Sequence, residues 1–170
     1  NPKESMWYQE GMTRVNMAVG SAHQNPDGTN VVSASGLLND GSDTVRVIAA
    51  DMTLDRISVI VNSFIEMHDA EAFLVDKDSS VILASRDSDL ISKTLGADGQ
   101  SAFYKDVEKK VSGKSYDFCT LDGNMTVFKE VNGTNWLLVS YVPTNVVLAD
   151  LVGLRNLMII FSIISILVLC

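Results

Sequence analysis

The feature that most constrains this chain is the apolar run "LMIIFSIISILVLC", which extends from Leu157 to Cys170 without a charge or a helix breaker. A helix needs about 20 apolar residues to cross the hydrocarbon of a bilayer. Because the run is still apolar at its last residue, we expect it to begin a transmembrane segment of a longer protein. A buried helix is the alternative, although buried helices usually keep a polar face.

The rest of the chain has the composition of a globular protein. Of its 170 residues, 46% are apolar and 20% are charged, and this apolar content is sufficient to offset the entropy lost on folding. The formal net charge is −8, and the 13 basic residues are scattered along the sequence. Because they form no basic stripe that could bind phosphates, we expect no nucleic-acid partner.

Residues that commonly carry catalysis or bind metals occur here without recognisable patterns. The two cysteines, Cys119 and Cys170, and the two histidines, His23 and His68, lack metal-ligand spacing. The sequence has no nucleophile elbow, no HExxH and no P-loop. We therefore expect no catalytic site, no metal and no cofactor in this chain.

The first third of the chain predicts strands followed by a helix. The β-branched runs "VVSASGLL" and "TVRVIAADM" flank the turn "NDGSD", and the turn "NPDGTN" precedes them, so residues 14–52 predict three antiparallel strands. The next segment, "LDRISVIVNSFIEM", has apolar residues at helical spacing. Thr53 directly precedes this segment and is suited to cap the helix.

The second half of the chain predicts a sheet interrupted by one helix. Two short strands surround the turn in "AFLVDKDSSVILAS", and the helix "SAFYKDVEKKVSG" is expected to end at Gly113. The dipeptides Asp122-Gly123 and Asn132-Gly133 then predict hairpin turns in a three-stranded meander. After Pro143, Thr144 is suited to cap a helix that runs to the end of the chain.

These elements predict an α+β protein with antiparallel, PAS-like sheets and a terminal membrane helix. We expect four consecutive parts: the end of one α+β unit at residues 1–52, a connecting helix at 53–69, a second α+β unit at 70–143, and an exit helix with the start of a transmembrane segment at 144–170.

Several stretches, in this order and spacing, resemble the double Cache (dCache) extracellular sensor domain of bacterial transmembrane receptors. They are "MWYQEG", "SAHQNPDGTNVVSAS", "RVIAADMTLDRI", "AEAFLVDKDSSVILAS" and "NGTNWLLVSYVPTNVVLADL". The resemblance implies tandem Cache subdomains, the membrane-distal one incomplete and the membrane-proximal one at residues 70–143. It also implies a receptor in the cell membrane, most simply a homodimer, with residues 1 to about 155 outside the cytoplasm.

The resemblance also implies a small-molecule site in the distal subdomain. In dCache receptors for amino acids, an Arg and a Trp bind the ligand carboxylate, while aromatic and Asp side chains bind its ammonium group. Trp7, Tyr8 and Asp51 match the aromatic pair and the Asp of that pattern. A loop Tyr and a nearby Asp of the family fall at His23 and Asn25.

One departure from this pattern limits the ligand class. The family's Arg falls at Ser5, and a serine cannot give the two parallel charged hydrogen bonds that a guanidinium offers to a carboxylate. A cationic ligand stays compatible with Asp51, and with the ring faces of Trp7 and Tyr8. We therefore expect an amine or an amino-acid-like molecule, and an uncharged or unrelated ligand stays an open alternative.

Other interpretations of the same residues stay open. Trp7 and Tyr8 are equally typical of core packing, Asp51 of a helix cap, and His23 of an exposed loop. The output of the receptor can be chemotaxis, a diguanylate cyclase or a histidine kinase, and chemotaxis is favoured only by analogy. A membrane-anchored adhesion or structural domain without a small ligand, or an anchored hydrolase, is the alternative to a sensor.

Overall fold

The computed structural model describes residues 2–41, 44–66 and 69–169, with the side chains of 150–152 and 161–169 left out of the description. His68 and Cys170 therefore lie outside the described residues. The helices of the described part are α1 (Met6–Met12), α2 (Leu54–Ser63), α3 (Ala102–Ser112) and α4 (Thr144–Leu169). Its strands are β1 (Ala18–Gln24), β2 (Asn30–Leu38), β3 (Arg46–Thr53), β4 (Glu71–Asp76), β5 (Ile82–Ala84), β6 (Cys119–Leu121), β7 (Asn124–Glu130) and β8 (Trp136–Pro143).

The first sheet has the order β1-β2-β3, and both of its strand pairs are antiparallel. This arrangement confirms the three predicted strands. The β1–β2 turn closes with a bond from the Asn25 amide to the Thr29 carbonyl, and Gly28 supplies the positive φ of +87° that the turn requires. The two faces of this sheet carry different side chains, because successive residues of a strand point to opposite sides.

One face of the first sheet packs on α2, and the other lies under α1. Val32 is buried in a cluster with Leu54 and Ile57 of α2. Ser33 and Ser35 lie on the opposite face of β2, and both are buried. A Cβ built on Gly11 of α1 would lie 3.2 Å from the Ser35 Cβ, so α1 covers this face.

Helix α2 begins as predicted and ends earlier. The Thr53 hydroxyl accepts a hydrogen bond from the Arg56 amide at 3.2 Å, which confirms the predicted cap. The sequence pattern extends to Met67, whereas the helix ends at Ser63. There the Ser63 hydroxyl donates to the Ile60 carbonyl at 2.7 Å, and this local bond competes with continuation of the helix.

The second sheet has five antiparallel strands in the order β5-β4-β8-β7-β6. The predicted hairpin turns at 122–123 and 132–133 are present, with positive φ at Asp122, Gly123 and Gly133. Helix α3 covers one face and buries Phe103, Val107 and Val111 against the sheet. The other face contributes buried residues such as Leu74 to the cluster that contains α2 and Val32. The two sheets therefore share a core through α2.

The terminal helix begins at Thr144, directly after β8. Thr144 was predicted to cap this helix, but it is the first helical residue. Its hydroxyl is buried and has no hydrogen-bond partner among the described residues. Within the part of the chain that the structure describes, no helix is long and apolar enough to cross a membrane. The side chains of positions 161–170, which form most of the apolar run, lie outside that description. The predicted transmembrane segment stays a prediction.

Candidate functional site

A polar cluster on the first sheet contains three of the five predicted site residues. Asp51 of β3 is paired with Ser33 of β2 in the strand register. The Ser33 hydroxyl, which is only 1% exposed, donates to Oδ1 of Asp51 at 2.6 Å. Asp51 itself is exposed. One carboxylate oxygen is thus held by a buried hydroxyl, while the group as a whole is accessible from solvent.

Asn25 and His23 complete the cluster from the β1 side. The Asn25 side-chain amide donates to Oδ2 of Asp51 at 3.4 Å. The His23 ring lies with Nε2 3.5 Å from the Ser33 hydroxyl and Nδ1 3.1 Å from the Ser21 carbonyl oxygen. The strand pairing therefore places the Asn25 side chain beside the Asp51 carboxylate, although the two residues are far apart in sequence.

The helix that carries the other two predicted residues lies over the same face of the sheet. Ser33 and Ser35 share this face, and a Cβ on Gly11 would clash with Cγ1 of Val47 on β3. Such close approach is possible because glycine has no side chain. Trp7 and Tyr8 belong to this helix, so they are on the side of the sheet that carries the polar cluster.

The two aromatic residues contact each other in an edge-to-face arrangement. Their ring centroids are 5.7 Å apart with an interplanar angle of 80°, a geometry that aromatic pairs favour. Both are half-buried. Among the described residues, no hydrogen bond or ring contact joins either side chain to Asp51 or His23. The structure thus unites His23, Asn25 and Asp51, and leaves Trp7 and Tyr8 as a separate pair on the covering helix.

Comparison with known proteins gives the fold. No family model matches the sequence. A stretch of 97 residues, 56% of this chain, is 34% identical to methyl-accepting chemotaxis protein McpG of Pseudomonas putida, and it spans 15% of that protein.

Solved structures match a larger part of the chain. The extracellular domain of the proposed histidine kinase mmHK1S-Z3 matches 91% of it at 18% identity with a TM-score of 0.69. The ligand-binding domain of the Pseudomonas aeruginosa amino acid chemoreceptor PctB, solved with L-Arg, matches 92% at 21% identity with a TM-score of 0.61. This chain has the Cache-type fold of such extracellular ligand-binding domains. It spans 59% and 61% of these two solved chains.

The Cache-type fold agrees with the predicted α+β class and the PAS-like antiparallel sheets. It also matches the resemblance drawn from the sequence, which is thereby confirmed for the fold. The described residues of this chain contain no group of three His, Cys, Asp or Glu side chains placed to hold a metal ion.

Two residues that the sequence did not single out fix α1 of this Cache-type fold to β1. Glu10 accepts a hydrogen bond from the Ser21 amide at 3.1 Å, and its other carboxylate oxygen is 3.4 Å from the Arg14 guanidinium. Arg14 also donates to the Ala18 carbonyl at 3.1 Å. Arg14 is therefore already engaged, and it lies seven residues after Trp7, whereas the family's Arg is expected two residues before it.

Ser33 is the other functional residue that sequence reasoning missed. The signal was present in "VVSASG", where two small polar side chains alternate with apolar ones inside a β-branched run. Such alternation is ordinary for a strand with one solvated face. The face proves to be buried under α1 instead, so the hydroxyls need partners inside the protein.

A second polar cluster, on the second sheet, belongs to the core. The Tyr141 hydroxyl donates to Oε2 of Glu71 at 2.5 Å and lies 3.5 Å from the Tyr104 hydroxyl. Burial, followed by the hydrogen bond to Glu71, raises the pKa of Tyr141 above its ordinary range, and burial raises the pKa of Tyr104. The ring of Phe103 is 4.4 Å from that of Tyr141. Because the rings of Tyr104 and Tyr141 pack against the buried apolar cluster under α3, we interpret this cluster as structural.

An apolar groove of about 410 Å³ lies between α2 and the second sheet. Its lining is almost entirely hydrophobic and includes Met52, Ile60, Phe64, Leu74, Trp136 and Leu138. It offers no charged group for a polar ligand. The polar cluster under α1 is therefore the better candidate for small-molecule recognition.

Proposed function

We propose that this chain is the ligand-sensing part of a transmembrane signalling receptor, and that a small amine or amino-acid-like molecule binds at Asp51 between the first sheet and α1. The observation that carries this proposal is an exposed carboxylate whose inner oxygen is held at 2.6 Å by the buried hydroxyl of Ser33. A charged group fixed in this way is preorganised, because little side-chain freedom is lost on binding.

The chemistry of the cluster favours a cationic group on the ligand. Asp51 accepts hydrogen bonds, and its acceptor sites on the exposed side are available for an ammonium group. Trp7 and Tyr8, on the covering helix, supply ring faces that attract cations. Ser5, at the position of the family's Arg, is the N-cap residue of α1 and carries no charge. The site therefore offers a charged partner to a ligand's ammonium group and lacks one for its carboxylate.

Chemotaxis is the output that the comparisons support best. The sequence relative McpG is described as a methyl-accepting chemotaxis protein, and the structural neighbour PctB as an amino acid chemoreceptor. A histidine kinase output is the second candidate, because the extracellular domain of mmHK1S-Z3 has a similar fold. A diguanylate cyclase or an adhesion role has no specific observation in its favour.

The proposal extends to the membrane and to a second copy. Residues 1 to about 155 would lie outside the cytoplasm, with residues 1–52 in a distal subdomain, 70–143 in a proximal one and the helix from Thr144 leading into the bilayer. In a homodimer, a ligand that prefers one arrangement of the paired exit helices would shift the population toward it.

Calorimetric titration with panels of amines and amino acids tests the site. For a ligand that binds, Asp51→Asn should lose about 1.5–3 kcal/mol, or roughly 10- to 100-fold in affinity, because a charged hydrogen bond is replaced by a neutral one. Asp117→Asn is the matched control, since Asp117 is also exposed and lies outside the cluster. Equal affinities in the wild type and Asp51→Asn would remove Asp51 from the site.

A further inference from the structure

The hydrogen-bond partners of His23 specify where its hydrogens must lie. The partner of Nδ1 is the Ser21 carbonyl oxygen, at 3.1 Å, which can only accept, so Nδ1 must carry a hydrogen. The partner of Nε2 is the Ser33 hydroxyl, at 3.5 Å. That hydroxyl has a single hydrogen, and at 2.6 Å it is directed to the Asp51 carboxylate.

Ser33 therefore presents only a lone pair to His23. The contact with Nε2 is a hydrogen bond when Nε2 also carries a hydrogen, which means when the ring is the positively charged imidazolium. In that state His23, Ser33 and Asp51 form one continuous chain of donors and acceptors, and their charges sum to zero. When the ring is neutral, with its hydrogen on Nδ1, two lone pairs face each other at Nε2 and the cluster carries one negative charge.

From this geometry we infer that His23 makes cation binding at Asp51 dependent on pH. The imidazolium opposes an incoming ammonium group and already balances the charge of Asp51. Loss of its proton removes the repulsion and leaves the carboxylate as an uncompensated anion. A cationic ligand binds more tightly as the pH rises through the range, about pH 5–8, in which histidine changes charge. This inference rests on the function proposed above.

The other titratable groups around His23 do not ordinarily change charge in that range. On α1 they are Glu10, whose carboxylate is engaged by the Ser21 amide, and Tyr8. Asp51 lies on β3, and β2 has no titratable side chain. In the β1–β2 turn, hydrogen bonds from Thr29 lower the pKa of Asp27, so it is ionised throughout. Among side chains, histidine is the one whose ordinary change of charge falls within this interval.

Calorimetric titration of the 170-residue chain in detergent with tyramine, putrescine and agmatine, at pH 5.5 and at pH 8, tests the inference. These amines stay cationic at both pH values, so a change in affinity reports on the protein. We expect binding to be roughly three- to tenfold tighter at pH 8, the effect of one unit charge a few ångströms away at an accessible site. His23→Gln should bind with the same affinity at both pH values. His68→Gln, at the other histidine of the sequence, is the matched control and should keep the wild-type difference.

The possible results separate this inference from the function on which it rests. A probe that binds the wild type equally at the two pH values overturns the inference alone, and this comparison needs no variant. A pH difference that survives in His23→Gln does the same. Failure of all three amines to bind at either pH overturns both the pH dependence and amine recognition. The inference stands when the difference is present in the wild type and in His68→Gln and is absent in His23→Gln.

Discussion

Each of the two sheets packs against α2 on one face and against a second helix, α1 or α3, on the other, and the side chains buried on these second faces differ in chemistry. Under α1, the first sheet buries the hydroxyls of Ser33 and Ser35. Under α3, the second sheet buries Phe73 and Val139 in a continuous apolar cluster. Polar burial in the first sheet supports the proposed site, whereas apolar burial in the second sheet stabilises the fold.

Buried hydroxyls and buried apolar side chains contribute differently to the stability of the fold. Burial of a large apolar side chain stabilises the folded state by about 1.5–3 kcal/mol, whereas a buried hydroxyl contributes little beyond its hydrogen bond. On its α1 face, the first sheet buries two hydroxyls beside Val31 and carries the oriented carboxylate of Asp51. Most apolar burial is instead supplied by the shared core around α2 and by the cluster under α3.

The largest expected effect tests the apolar face of the second sheet, which packs under α3. Phe73 is 1% exposed at the centre of the cluster under α3, so Phe73→Ala should reduce the free energy of unfolding by about 3–5 kcal/mol. Phe118→Ala is the matched control, because Phe118 is 64% exposed and should change stability by less than about 0.5 kcal/mol. Urea denaturation measures both. Similar losses in the two variants would mean that the packing under α3 does not dominate stability.

The next effect tests the packing of α1 on the polar face. A Cβ at Gly11 would clash with Cγ1 of Val47, so Gly11→Ala should push the helix away from the sheet. Overpacking costs about 1–3 kcal/mol, and the higher helix propensity of alanine returns up to about 1 kcal/mol. We expect a net loss of stability by thermal denaturation, together with weaker amine binding, because Trp7 and Tyr8 move with the helix.

Gly153→Ala is the control for this substitution. Gly153 lies in α4, and a Cβ added there would meet no atom within 4 Å, so alanine at this position should be neutral or slightly stabilising. If Gly11→Ala leaves both stability and binding intact, close packing of α1 is unnecessary for the site.

The smallest effect concerns the buried tyrosine of the second sheet. Because the pKa of Tyr141 is raised in the folded state by burial and by its bond to Glu71, the phenol contributes stability that is fully present below the unfolded-state pKa of about 10. That contribution is lost as the pH rises further, since the unfolded state releases the proton first. Wild-type stability should therefore fall more steeply between about pH 9.5 and 11.5 than that of Tyr141→Phe, as measured by urea denaturation. If stability falls equally with pH in the wild type and in Tyr141→Phe, ionisation of Tyr141 is not coupled to unfolding.

Local patterns predicted most of the secondary structure. Alternating β-branched runs and the turn residues Gly28, Gly123 and Gly133 gave the strands and hairpins, because these signals depend on neighbouring residues and on backbone sterics. The end of α2 was missed by about a turn, since the bond from Ser63 to Ile60 competes with an apolar pattern that continues to Met67. The prediction that Thr144 caps α4 was wrong, because β8 leads directly into α4 and Thr144 is its first helical residue.

The members of the polar cluster were predicted in part, and its role as a ligand site stays a proposal. His23, Asn25 and Asp51 were identified from the resemblance, and the structure brings them together. Ser33, Glu10 and Arg14 were not identified, because their roles depend on which side chains face each other across the sheet. The assignment of the three identified residues, and of Trp7 and Tyr8 with them, to one ligand site stays a proposal.

The sequence by itself determined where strands, turns and helices form and that the chain carries few basic residues, because each of these follows from side chains close together along the chain. Only the tertiary structure decided that residues 23, 33 and 51 meet on one face and that α1 packs on this face at Ser35 and Val47. Register and packing between distant segments set those contacts, and a shift of one residue in the pairing would move every side chain to the other face.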